Sequence, residues 1–163
     1  MAVRIPIRLE AGLGASRGSY LETVALVSTG YEARAADCSL PRGAAERLGL
    51  WPAPPEAEER MVRGYGGEVT LMKVAAALRI RIADPAATGG PVTAGAFLAT
   101  GERELLLSDS LTGALGIVIL DAGQGIWRLR GEPDSAGRPS RAAELHPNAP
   151  RAGDRLRTSQ PKA

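Results

Sequence analysis

The chain has little from which to build covalent bridges or a nucleophilic centre. Its one cysteine, Cys38, excludes an intrachain disulfide. Its one histidine, His146, is remote from Cys38 in sequence, so the thiol reads as a buried small hydrophobe without an activating base. Aromatic residues make up only 4% of the chain, which leaves an aliphatic core as the way to bury surface. No apolar run approaches the roughly 20 residues that a helical membrane span needs. Met1 to Glu10 alternates charged and apolar residues and has no signal-peptide core, so a cytoplasmic location is expected. A net charge of +2 and a pI near 9.0 do not mark a nucleic-acid binder by bulk charge. There is no Gly-Lys-Ser/Thr phosphate loop and no His/Cys/Asp grouping at ligand spacing, so neither a cofactor nor a metal is expected.

What the chain does have is aliphatic periodicity. Hydrophobic residues make up 44% of its 163 residues, enough for one domain with a tail. Val3, Ile5, Ile7 and Leu9 alternate with polar residues or Pro6, which predicts a strand with one wet face. Pro6 cannot donate to a ladder, so that strand is expected at an edge or beside a bulge. Ala11 to Ser19 reads as a Gly/Ser loop, and its glycine spacing does not fit a dinucleotide loop. Tyr20 to Val27 is a second strand, apolar on both faces at its end. It runs into Ser28-Thr29-Gly30, a tight turn. Leu40 to Leu50 then reads as a short helix. Pro41 suits its first turn, Leu40, Ala44 and Leu48 form one face, and Gly49 stops it.

Trp51 to Glu59, with three prolines, reads as an exposed linker. Arg60 to Ile82 reads as a long hairpin with its turn at Gly64-Tyr65-Gly66-Gly67. In its second arm Met72, Val74, Ala76, Leu78, Ile80 and Ile82 share a face. Val92 to Thr100 is a further strand. Ser108-Asp109-Ser110 is a helix N-cap signal, with Asp109 read as the cap and Leu111 and Leu115 as the helix's apolar stripe. Ile117 to Leu120 is a buried strand, and Ile126 to Arg130 is the last strand. From Gly131 onward large apolar residues nearly vanish, so residues 131–163 are expected to be a disordered tail behind a domain of residues 1–130. That tail holds six Arg/Lys and four Asp/Glu, too weakly basic to point to nucleic acid.

Three stretches in order carry a family likeness: Val27-Ser28-Thr29-Gly30 with the helix after it, the glycine-tipped hairpin Arg63 to Lys73, and Leu105-Leu106-Leu107-Ser108 followed by a helix and Leu115-Gly116-Ile117-Val118-Ile119-Leu120. This order resembles the retropepsin-like (clan AA) aspartic proteases. The resemblance covers roughly Val3 to Leu129. It implies an all-β closed barrel with a flap hairpin and two short helices, and a homodimer in which each subunit gives one catalytic loop. It also implies that Tyr31, Tyr65, Gly66, Gly67, Leu107 and Ser108 line the substrate cleft.

The likeness breaks where the chemistry is done. The family reads Asp-Thr-Gly or Asp-Ser-Gly, and Ser28 stands in the aspartate position here. Two facing carboxylates share one proton, so that one activates water while the other donates. A serine hydroxyl does neither. Ser108 also stands where a glycine is usual, and Tyr31 where alanine is frequent. Asp37 reads as a surface turn residue. Ser28 as a nucleophile lacks a base, because His146 falls in the expected tail and no Ser-x-x-Lys follows. The expectation is an inactive aspartic-protease-like dimer that binds extended peptide or protein ligands in its cleft, with Ser28, Thr29 and Gly30 as the degenerate motif and the Ser28 and Thr29 hydroxyls tying the loop and the dimer together. The competing expectation is an active retropepsin-like endopeptidase that uses another acid, Asp37 or Asp109.

Overall fold

The computed structural model describes residues 1–12, 14–64 and 66–147, with Ala15 as backbone alone. Its elements in chain order are β1 (Arg4–Ala11), β2 (Tyr20–Val27), β3 (Asp37–Pro41), α1 (Arg42–Arg47), β4 (Glu58–Gly64), β5 (Gly67–Ile82), β6 (Val92–Ala99), β7 (Leu105–Leu107), α2 (Asp109–Ala114), β8 (Ile117–Asp121), β9 (Ile126–Leu129) and β10 (Arg138–Pro139). Single 3₁₀ turns lie at Gly14–Ser16 and Asp134–Ala136.

The fold is mostly β. The first sheet runs β1-β2-β7-β3-β6-β5, and β5 pairs back onto β1, which closes a six-stranded barrel. β4 stands outside the ring, paired only with β5. The barrel is filled by aliphatic side chains with no exposure at all, among them Ile5, Ile7, Leu9, Leu21, Leu40, Leu78, Ile80, Leu105 and Leu107. Each such side chain contributes about 1.5–3 kcal/mol relative to an exposed one. β8, β9 and β10 form a separate three-stranded sheet.

β1 is not an edge strand, despite Pro6. It pairs with β2 on one side and β5 on the other. The β5 ladder begins at Ile7↔Ile82, one residue past the proline, so the missing N–H falls outside it. The stretch read as one helix from Leu40 divides in two. Residues 37–41 are strand β3, inserted between β6 and β7, and Pro41 is the N-cap of a six-residue helix. Ala44 and Leu48 are fully buried as expected. Gly49, at φ +69°, ends the helix; a Cβ there would also lie 2.3 Å from Ser16 Oγ.

The expected alternation in β5 is interrupted. Between Val74 and Leu78 the register against β6 shifts, Ala76 takes φ +49°, and Ala76 is exposed while Ala77 is buried. The bulge bends one sixteen-residue strand so that its first half forms the hairpin and its second half a barrel stave. Trp51, Ala53 and Ala57 pack partly against the core, so residues 51–59 are more than an exposed linker. Ile117 to Leu120 is less buried than expected: Val118, Ile119 and Leu120 are half-buried on an edge strand.

The expected disorder from residue 131 does not describe residues 131–147. Arg138 binds both oxygens of Glu132, at 2.6 Å each, and pairs with Asp84 at 3.3 Å. Ser140 Oγ accepts from Arg4 N, Arg141 N donates to Arg4 O, and Gly43 N donates to Pro147 O. The segment is held as a strap by backbone and ionic bonds, which a count of large apolar residues does not register. Residues 148–163 lie outside the described residues.

Candidate functional site

The loop after β2 is positioned by strand order. β2 and β3 follow each other in sequence but are not neighbours; β7 lies between them, parallel to β2 and antiparallel to β3. Residues 28–36 therefore cross over the end of β7. Ser28 N donates to Leu107 O at 3.3 Å, and Tyr31 N closes a turn onto Ser28 O at 3.1 Å. Asp109 N donates to Tyr31 O at 3.0 Å, and Asp109 Oδ1 accepts from Ala33 N at 2.9 Å. Ser110 Oγ bonds to Ala33 O. The turn thus rests on the first residues of α2, which sets Ser28–Tyr31 beside Leu107 and Asp109.

Within the loop, Ser28 is half-buried and Thr29 and Gly30 are exposed. Among the described residues neither the Ser28 nor the Thr29 hydroxyl has a hydrogen-bond partner. The Tyr31 hydroxyl is buried and also unpartnered, and its ring meets Phe97 edge-on at 6.4 Å. Burial pushes the phenol pKa far up, and the neighbouring Cys38 and Asp37 add to it, so Tyr31 stays neutral. Burial, then Asp37, pushes the Cys38 thiol up as well, which removes it as a nucleophile.

Leu107 and Ser108 were expected to face a ligand, yet both are fully buried. The Ser108 hydroxyl accepts from Leu111 N at 3.1 Å, which makes Ser108 the N-cap of α2, and from Asp37 N at 3.2 Å. Ser108 N in turn donates to Asp37 O at 3.0 Å. Its work is internal: one hydroxyl ties the helix start to β3. Asp109 is the first helical residue, not the cap. Backbone N–H groups of Ala33 and Ser110 hold its carboxyl below the usual range, so it is an ionised structural acceptor.

Asp37 is no surface turn residue. It is 3% exposed, and its Oδ2 lies 2.9 Å from Lys73 Nζ. Lys73 sits near the root of the β4–β5 hairpin, with Nζ 5.1 Å from the centre of the Phe97 ring. Gly95 lies beside Asp37 on β6, and a Cβ there would stand 2.3 Å from Asp37 Oδ1 and 3.1 Å from Lys73 Cε. Its bare backbone is the gap through which β5 and β3 share an ion pair. No local pattern in the sequence marks this pair, because Asp37, Lys73 and Gly95 lie on three strands far apart in the chain.

The hairpin forms as expected, closing at Gly64↔Gly67, with Gly67 at φ +113°. Gly66 and Gly67 are exposed at its tip, and Tyr65 lies outside the described residues. Met61 and Val69, 70% and 52% exposed, give the arms an apolar surface. The hairpin makes no hydrogen bond to the Ser28 loop among the described residues; the link between them runs through Lys73 and Asp37.

His146 is not in a loose tail. It is 4% exposed, with Nε2 3.0 Å from Thr23 Oγ1 and its backbone N donating to Arg103 O at 2.7 Å. Thr23 lies five residues before Ser28 on an extended strand, about 16 Å back at the usual rise, so this imidazole cannot serve the Ser28 hydroxyl. Among the described residues no group of three His, Cys, Asp or Glu side chains is placed to hold a metal ion. No helix among them is long and apolar enough to cross a membrane. A scan against protein-family models and a search of curated proteins both return no match for the chain.

Proposed function

We propose that the chain is a retropepsin-like pseudoprotease: a homodimer that holds an extended peptide between its hairpins and its Ser28 loops without hydrolysing it. Four features support the reading: the closed six-stranded barrel, the loop crossing β7, the helix capped at Ser108, and the glycine-tipped hairpin. The loop, the hairpin and the capped helix follow one another along the chain in the order on which the family resemblance rests. Peptide capture by added strands uses backbone hydrogen bonds and survives loss of the catalytic acids.

The observation that carries inactivity is the fate of the acids near the loop. Ser28 supplies an alcohol where the chemistry needs a carboxylate. Asp109 is committed to backbone N–H groups, and Asp37 is buried against Lys73. Asp37 is thereby unavailable to share a proton with a symmetry mate, and Asp109 is held as an anion by the N–H groups on its Oδ1. The active-endopeptidase reading needs one of these two acids and is weaker for that reason.

The test is twofold. Light scattering on the purified chain should give twice the mass of one chain. A library of unstructured peptides assayed from pH 3 to pH 7 should show binding without cleavage. A monomer at micromolar concentration would remove the cleft on which the reading depends. Cleavage abolished by Asp37→Asn would replace it with the endopeptidase.

A further inference from the structure

At the far end of α2 from Ser28 lies a cavity of about 390 Å³, within the range of small-molecule sites. Its walls come from four places: the end of β5, the 83–91 connection, the end of α2 with Gly116, and the end of β9 with the residues after it. Ile82 and Leu129, both nearly buried, and half-buried Leu115 give it an apolar floor.

The charges on its rim are unbalanced. Arg81 and Arg130 both line the cavity, and among the described residues neither is in an ion pair. Arg130 spends one nitrogen on Gly113 O at 2.9 Å. Arg81 stands directly opposite Arg8 across the β1–β5 ladder, a like-charge pairing that costs stability unless an anion offsets it. Arg8 has Glu10 and Glu22 as its own partners.

The one acid lining the cavity, Glu132, is spoken for. Arg138 binds both its oxygens, and Leu129 N adds a third bond at 2.8 Å. Those bonds hold the Glu132 carboxyl down at about 2, so it is ionised but neutralised by its own arginine. Arg138 also pairs with Asp84, which ties the 83–91 connection to the end of β9 and fixes the cavity walls. The net result is a preformed hollow with an apolar base and two guanidiniums not paired to a carboxylate.

We infer that this cavity binds a small amphipathic anion, its carboxylate or phosphate head between Arg81 and Arg130 and its apolar body on Ile82, Leu115 and Leu129. Guanidinium suits both head groups because its fork matches their paired oxygens. The site is independent of the Ser28 loop and stands whether or not the chain is a pseudoprotease.

The experiment is a titration of the full chain with phenyl phosphate and with benzoate, followed by amide NMR, with benzyl alcohol as the uncharged control. Saturable shifts should cluster at Thr88, Gly89, Gly90, Leu115 and Gly116. Arg81→Gln and Arg130→Gln should each weaken binding at least tenfold, and Arg79→Gln, outside the cavity wall, should leave it unchanged. Both altered arginines are exposed, so neither variant should melt below the wild-type temperature, which is checked first; Arg81→Gln should if anything melt higher, because it relieves the repulsion from Arg8. A response to phenyl phosphate alone assigns a phosphate head, and a response to both probes assigns any oxyanion. Shifts scattered over the surface, equal shifts with benzyl alcohol, or undiminished binding in both variants would overturn the assignment.

Discussion

Lys73 reaches Asp37 across the bare backbone of Gly95. Nζ and Oδ2 are 2.9 Å apart, and the aspartate side chain is 5% exposed against 22% for the lysine. Removing one partner of such a pair costs more than the pair is worth, because a charge is left behind in the interior. Lys73→Met should therefore destabilise the fold by about 2–3 kcal/mol, less than for a fully dry pair because water reaches the lysine. Gly95→Ala should cost about 1–3 kcal/mol by forcing Asp37 aside. Urea denaturation measures both. In a double-mutant cycle, Asp37→Leu with Lys73→Met should recover most of the loss. A Lys73→Met variant as stable as wild type would show that the pair holds nothing together.

Ser108 invites a second test, because glycine is the residue the family resemblance leads one to expect there. Its hydroxyl serves Leu111 N and Asp37 N at once, both in the interior. Losing an N-cap hydroxyl costs about 1 kcal/mol, and leaving a buried N–H unpaired adds about 1–3 kcal/mol. Ser108→Gly and Ser108→Ala should both destabilise by about 2–4 kcal/mol on these grounds. Ser108→Thr, which keeps the oxygen, should lose less. If Ser108→Gly is neutral in thermal or urea unfolding, the hydroxyl is incidental and the site is closer to a glycine-type segment than its bonds indicate.

His146 makes the strap sensitive to pH. Burial holds its pKa below the ordinary value, with Arg47 lowering it further and Glu144 partly opposing. The unfolded chain therefore takes up a proton near pH 6.5 that the folded chain resists, and stability falls as pH drops through that value. The lowered carboxyls of Glu104, Asp109 and Glu132 cost stability only when pH falls below their unfolded values near 4, so pH 7.5 to 5 isolates the histidine. The melting temperature should decline across that window, and His146→Gln should flatten the decline. A wild-type profile already flat from pH 7.5 to 5 would mean that the imidazole is not held neutral against Thr23.

Local patterns carried much of this fold, and long-range pairings carried the rest. β2 was legible residue for residue, because Tyr20 to Val27 ends in a continuous apolar run that stops at a glycine turn. The hairpin turn was legible from its glycines. β3 was not: five residues beside a proline-led helix give no period of their own, and only the slot between β6 and β7 makes them a strand. Pro6 misled for the complementary reason, since the register that spares its missing N–H is set by Ile82, some 75 residues away. At the candidate site the Ser28 loop could be found by its motif. The Asp37–Lys73 pair could not, because it depends on Gly95, and three strands distant in sequence carry one residue each. The strap escaped notice because Ser140, Arg141 and Pro147 hold it mainly through backbone groups, and composition does not record those.

The last prediction concerns the two hydroxyls of the degenerate loop. Ser28 and Thr29 find no partner within the described chain, and Thr29 is exposed. If they are internal decoration, Ser28→Ala with Thr29→Val should change neither stability nor assembly. If they bridge two copies at a two-fold axis, chain stability at high dilution should stay within about 0.5 kcal/mol of wild type while the dimer weakens. Losing one symmetric pair of hydrogen bonds at about 1 kcal/mol each should raise the dimer Kd about thirtyfold, and losing the pairs from both hydroxyls about a thousandfold. Analytical ultracentrifugation over a dilution series separates the two effects. An unchanged Kd in the double variant would place the dimer contact elsewhere and take the Ser28 loop out of the proposed cleft.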